Sequence, residues 1–161
     1  MAEGEFALVK DRLKVASKIP VSSLGLIMTE TERYFLLADV AVLERDQVAL
    51  REYTPLAEEM ALRDGHLLFQ ASAHRAWGVL HRLEGKYEEA EARLSQALDL
   101  FQGLGTRWQI GRTLYELAEL AQARTDLIEA RDYLSRALVA FENIGANPDA
   151  VRIREALRSL N

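Results

Sequence analysis

Residues 66–105 read HLLFQASAHRAWGVLHRLEGKYEEAEARLSQALDLFQGLG, and residues 106–145 read TRWQIGRTLYELAELAQARTDLIEARDYLSRALVAFENIG. Laid over one another, the two stretches pair Leu80 with Leu120, Glu89 with Glu129, Ala90 with Ala130 and Leu94 with Leu134. Ser95, Ala97, Leu98, Phe101 and Gly105 meet Ser135, Ala137, Leu138, Phe141 and Gly145. A self-match at a period of this size marks stacked supersecondary units, because one unit cannot bury its apolar face alone.

Each unit reads as two helices. Ala90, Leu94, Ala97, Leu98 and Phe101 step by four, three, one and three, which is one apolar stripe at helical spacing. Its copy is Ala130, Leu134, Ala137, Leu138 and Phe141. Alanine in these stripes lets neighbouring helices approach, and the phenylalanines fill the gap near the end. Gly85 separates the two helices of one unit, and Gly105 and Gly145 follow the stripes, where a left-handed residue ends a helix. Asp126 with Glu129 has the form of a capping box. The spacing predicts helices over 66–84, 87–102, 107–124 and 127–143. Asn147 and Pro148 then supply a helix start, with Asn147 as the N-cap, and a last helix from Asp149 to Leu160 covers the end of the stack.

The region before residue 66 is less regular. Tyr34–Leu43 reads as a helix, and Asp46–Arg63 as its partner with Ala49, Tyr53, Leu56, Ala57 and Met60 inward. That stripe echoes the later ones with a one-residue slip. Pro55 should bend this helix or shorten its first turn. Phe6–Ile19 forms a further amphipathic pattern, and Pro20–Thr31 reads either as a loop or as the start of a long helix.

At Gly85-Lys86-Tyr87-Glu88-Glu89-Ala90 the chain resembles the tetratricopeptide repeat, whose turn places a Gly, an aromatic two residues on and an Ala three further. The family's first-helix pattern falls on His74, Trp77, Gly78 and His81, of which Gly78 matches. In the next unit Leu114, Leu117, Ala118 and Ala121 take those places, and Thr125 stands where Gly85 stood. The period of 40 is longer than the family's 34, the extra residues falling at Gly103–Trp108. That longer linker, and the ending from Phe141 to Leu160, resemble the repeats appended to bacterial signal-transduction ATPases, transcription activators and adenylyl cyclases. The resemblance implies an all-α fold, a right-handed stack of antiparallel helical hairpins (an α-solenoid) with a C-terminal capping helix. The expected organisation is an N-terminal helix and connector over 1–30 and a repeat domain over 31–161, divided at about 31–64, 66–105 and 106–145, with the cap at 147–161.

Composition and motifs exclude several function classes. The formal charge is −5, against the basic excess that nucleic acid or an anionic membrane surface demands. There is no Cys, hence no thiol nucleophile and no thiolate metal site. No stretch approaches the ~18 apolar residues of a membrane span, and the expected location is cytoplasmic. His66, His74 and His81 share one helix, but separations of ~10–12 Å are too long for one ion with ligand bonds of about 2 Å. The pairs Glu58-Glu59, Glu88-Glu89 and Glu116 with Glu119 read as solvated helix faces. Ser22, Ser23 and Ser72 lack a nucleophile-elbow setting, and no G-x-x-x-x-G-K-[ST] run is present. The sequence therefore points to no catalytic residue, no metal and no cofactor.

The first helices of successive units line the concave side in the family that this chain resembles. In that register Ser72, Arg75, Val79 and Arg82 fall on the inner face, followed by Arg112, Tyr115, Glu119 and Gln122. Two readings stand: an ordinary solvated face, or a groove whose arginines suit a peptide or protein segment with acidic groups. On the second, the chain is a non-catalytic interaction or scaffold module, a regulatory part of a larger bacterial signalling or transcription protein. The alternative is a self-associating domain whose main surface is a homo-oligomer interface, motivated by the apolar run Leu24, Leu26, Ile27, Met28, Phe35, Leu36 and Leu37.

Overall fold

The computed structural model describes residues 29–160. Among the described residues there are seven helices and no strand: α1 (Glu30–Glu44), α2 (Gln47–Arg63), α3 (Leu67–Leu83), α4 (Tyr87–Gly103), α5 (Arg107–Ala123), α6 (Leu127–Glu142) and α7 (Asn147–Ser159). Helices α1/α2, α3/α4 and α5/α6 pair as hairpins, and α7 packs on α6. Phe6–Ile19 and most of Pro20–Thr31 lie outside the described residues.

The period of 40 runs through all three hairpins without a slip. The turn inside each hairpin holds a left-handed residue at Arg45 (φ 55°), Gly85 (φ 75°) and Thr125 (φ 63°), each 40 residues after the last. The turn between hairpins repeats the same device at Gly65, Gly105 and Gly145. A left-handed residue closes a helix by folding the chain back onto its last carbonyls. Thus the Lys86 N–H donates to the His81 carbonyl, and the Asp126 N–H to that of Ala121.

Register also decides the inner stripe of α2, which differs from the slipped expectation. Subtracting 40 from Ala90, Leu94, Ala97 and Phe101 gives Leu50, Thr54, Ala57 and Ala61, and all four are buried. Thr54 takes a leucine's place in the core, so the stripe does not read as apolar from sequence. Of the expected stripe, Ala49, Ala57 and Met60 are buried as well, whereas Tyr53 and Leu56 are only half buried. Pro55 sits mid-helix in an unbroken α2. The first helix begins at Glu30, four residues before Tyr34, because Thr29 and Glu32 form a reciprocal capping box.

The last helix begins at Asn147 and is capped one residue earlier than expected. Ala146 is its N-cap, with Asn147 already helical and Pro148 in the first turn. His66 and Thr106 cap α3 and α5 at the equivalent position, so the repeat, rather than the side chain of Asn147, fixes the start. Asp126 does cap α6, accepting the Glu129 N–H at 2.9 Å.

Core packing follows the small residues. Ala90, Leu94, Ala97, Phe101, Ala130, Leu134, Ala137 and Phe141 are all buried. Gly78 and Gly111 let the hairpins close: a Cβ on Gly78 would sit 2.5 Å from Leu94 Cγ, and one on Gly111 would sit 2.8 Å from Phe141 Cζ. Helix α7 buries Ala150 and Ile153 and turns Arg152, Arg154, Glu155 and Arg158 outward, the polar outer face that the end of a solenoid needs.

Candidate functional site

The first helices of the hairpins, α1, α3 and α5, touch one another in succession, whereas α2, α4 and α6 make no comparable mutual contact. Close approach along one layer and not the other curves the stack, with the first helices on its concave side. That side is crossed by ion pairs. Asp39 of α1 accepts Arg75 Nη2 of α3 at 2.9 Å and Arg112 Nη1 of α5 at 2.9 Å. Arg75 Nη1 also donates to Gln109 Oε1 at 2.6 Å. Further along, Glu116 of α5 accepts Arg45 Nη1 at 2.7 Å and Arg82 Nη2 at 3.3 Å. Arg82 Nη1 reaches Glu119 at 3.5 Å.

Aromatic rings carry the guanidiniums. Arg75 lies over Phe101, Arg112 over Trp108 and Arg152 of α7 over Tyr115, geometries in which the ring face attracts the cation. Burial by itself would raise the Asp39 carboxyl, but Arg75 and Arg112 together hold it below its ordinary value. Burial, with Arg112 adding like-charge repulsion, draws Arg75 down to about 10, so it remains a cation at neutral pH. Burial would lower Arg45 as well, yet Glu116 overrides it and raises the group. Tyr115 is raised by burial and by Glu119.

The residues expected on the inner face divide in two. Ser72, Arg75, Val79 and Arg112 are buried, which corrects the expectation that they stand clear of the core. Val79 belongs to the core of the first two hairpins, and Ser72 Oγ donates to the Leu68 carbonyl of its own helix. The side chain of Arg82 keeps only 10% of its surface, while Tyr115, Glu119 and Gln122 are partly exposed. The physical reason is the first hairpin: α1 lies against this face and supplies the Asp39 carboxylate to it, and its C-cap Arg45 supplies a guanidinium. Sequence comparison of the two later units gave α1 no role, and so missed Asp39, Arg45, Gln109 and the burial of Glu116. The usable signal was Asp39 itself, a lone acid in the apolar run Tyr34–Leu43.

Beside this network lies a cleft of about 210 Å³ lined by Leu43, Arg45, Arg112, Tyr115, Glu116 and Arg152. The histidines have other work. His66 stacks on Phe69, His81 on Trp77, and His74 Nδ1 meets Arg93 Nη1 at 2.8 Å. Among the described residues no group of three or more His, Asp or Glu side chains is placed to hold a metal ion. No described helix is long and apolar enough to cross a membrane.

With this geometry in hand, known proteins give a consistent fold. The model of the tetratricopeptide repeat family matches residues 69–143. The crystal structure of BtubC (BKLC) from P. vanneervenii superposes with a TM-score of 0.57 at 18% identity, covering 99% of this chain and 74% of that one. At that identity the likeness is one of fold. No curated protein matches the sequence.

Proposed function

Because residues 69–143 carry tetratricopeptide repeats, whose general role is to mediate protein–protein interaction and which are typically non-catalytic, we propose that this chain is an interaction or scaffold module. In this reading it serves as a regulatory part of a larger bacterial signalling or transcription protein. It takes a peptide or protein segment bearing acidic groups along the concave side. One observation carries the reading: Arg82, partly open on that side, meets its carboxylates only at 3.3 Å (Glu116) and 3.5 Å (Glu119). A carboxylate-bearing segment would offer it a shorter, charge-assisted hydrogen bond. Arg82, Tyr115, Glu119 and Gln122 are the contact residues in this proposal. Ser72, Arg75, Val79 and Arg112 act from beneath, by holding the face in shape.

The test is a partner recovered from the source cell and titrated against purified protein. Replacing Arg82→Gln together with Gln122→Ala should weaken binding by ~1 kcal/mol or more, as loss of a charged hydrogen bond does. Unchanged affinity at the same salt concentration would sink the groove. If the free chain sediments as a stable dimer whose interface covers these residues, self-association takes its place.

A further inference from the structure

We infer that the cleft between the end of α1, α5 and α7 is a subsite for a phosphoryl group. Arg45 enters it from the C-terminal cap of α1, Arg112 from α5 and Arg152 from α7. Three arginines therefore line a space of about 210 Å³, several times the ~30 Å³ share of one water. Arg112 is the fixed one of the three. Its side chain is 5% exposed and it lines the cleft. Its guanidinium is held by Asp39 at 2.9 Å and its plane lies over Trp108. Its orientation is set before any ligand arrives.

The carboxylates nearby do not cancel this charge. Glu116 lines the cleft but already accepts from Arg45 and from Arg82. Asp149 holds Arg152 through a long contact of 3.4 Å. Of the side chains that line the cleft, Arg45, Arg112 and Arg152 are cations and Glu116 is the carboxylate, which leaves the lining positive. An anion is the ligand that neutralises it. The geometry favours phosphoryl over carboxylate. A carboxylate offers two oxygens in one plane and suits one forked guanidinium. A phosphoryl group offers three strong acceptor oxygens and about −1.5 to −2 charge at neutral pH, matched to donors arriving from three directions. A small phosphate monoester and a phosphorylated side chain carry the same group, so the inference does not depend on the interaction reading.

Inorganic phosphate is the first probe, replacing chloride at constant ionic strength and pH 7.5, with amide and indole resonances of the ¹⁵N-labelled full chain followed by NMR. Saturable shifts are expected at Arg45, Tyr115 and Glu116 and at the Trp108 indole. Arg152→Gln and, separately, Arg45→Gln should each weaken binding about tenfold, the effect of one charged hydrogen bond, with circular dichroism unchanged. Shifts no larger there than at the surface residues Arg107 and Arg158, or indifference to both variants, would overturn the subsite. Acetate binding as tightly as phosphate would overturn the phosphoryl assignment. Phosphoserine binding equally well free and within a peptide identifies a small-molecule ligand, and tighter binding by the peptide identifies a protein segment; both support the site. Loss of phosphate binding to these tests with the Arg82 and Gln122 result intact removes the subsite alone, and the reverse outcome removes the groove alone.

Discussion

Asp39 and Arg112 stand 73 residues apart in sequence and 2.9 Å apart in the structure, and the contact skips a whole hairpin, joining α1 directly to α5. Because the other carboxylate oxygen holds Arg75 of α3, one side chain ties three successive first helices together. The curvature of the stack is thus pinned by a buried charge as well as by packing.

Removing that carboxylate should therefore be costly. Asp39→Ala leaves two buried guanidiniums facing each other, and breaking a buried ion pair from one side costs about 3–5 kcal/mol. Urea unfolding is the measurement, and a loss under ~1 kcal/mol would mean that the bridge does not hold the stack. Replacing all three groups, Asp39→Leu with Arg75→Met and Arg112→Met, should recover most of the loss, since apolar substitutes for a buried ionic cluster are often neutral or stabilising. Arg75→Glu with Arg112→Glu, harmless on an exposed face, would instead place three carboxylates together in a buried site and prevent folding.

The close approaches at Gly78 and Gly111 give an opposite pair of outcomes with Gly103. Gly78→Ala and Gly111→Ala each force a methyl against Leu94 or the Phe141 ring. Overpacking of this kind costs ~1–3 kcal/mol, more than the ~1 kcal/mol gained from helix propensity. At Gly103, near the end of α4, a Cβ meets nothing within 4 Å. Gly103→Ala should accordingly raise stability by up to ~1 kcal/mol. Melting curves of the three variants check the order, and a stabilising Gly111→Ala would show that the α5/α6 contact is looser than drawn.

Thr125 occupies the position where the preceding hairpin has Gly85, at φ 63°. A β-branched residue there is strained by ~1–2 kcal/mol. Thr125→Gly removes the strain but adds freedom to the unfolded chain, worth ~0.5–1 kcal/mol, so a net gain of about 0.5 kcal/mol is expected in chemical denaturation. Thr125→Val should do the reverse by losing the hydroxyl bond to the Arg124 carbonyl. Equal stability for all three would mean that the turn relaxes in solution.

What sequence disclosed and what it hid follow one physical line. The stripes of α4 and α6 were legible because alanine, leucine and phenylalanine repeat at helical spacing, and local patterning of that kind survives in the fold. The α2 stripe was legible only at Ala49, Ala57 and Met60, because Thr54 stands for leucine and Ala61 for phenylalanine; shape, rather than hydropathy, keeps the period. Arg75 and Arg112 read as surface groups because charge is normally exposed. Their burial depends on Asp39, a partner 36 and 73 residues away, which no local pattern contains. Arg152 and Arg45 were invisible as site residues for the same reason, since the cleft exists only where α1, α5 and α7 meet.

His74 gives the fold a pH dependence whose sign can be worked out. Its ring is held at Nδ1 by Arg93, which also donates to Glu58 Oε1 at 2.6 Å, and Trp77 Nε1 donates to Glu58 Oε2. This set joins α2, α3 and α4. To accept from a guanidinium the imidazole nitrogen must be unprotonated. Burial first, and then the charge of Arg93, push the His74 pKa below its ordinary value, while Glu58 opposes them. The unfolded chain therefore takes up a proton near pH 6.5 and the folded chain does so only at lower pH. Between those two values the unfolded state binds more protons, so stability rises with pH in that window. Stability should be independent of this group above pH ~7.5 and fall as pH drops through 6.5 toward the folded value. His81, lowered chiefly by burial and next by Lys86, acts in the same direction. Unfolding free energies measured from pH 8 to 5 should thus decline in the parent and decline less in His74→Gln, whose amide oxygen can still accept from Arg93 without titrating. A variant as pH-sensitive as the parent would transfer the effect to His81, and a parent insensitive across the range would mean that neither ring is protected from protons in the folded chain.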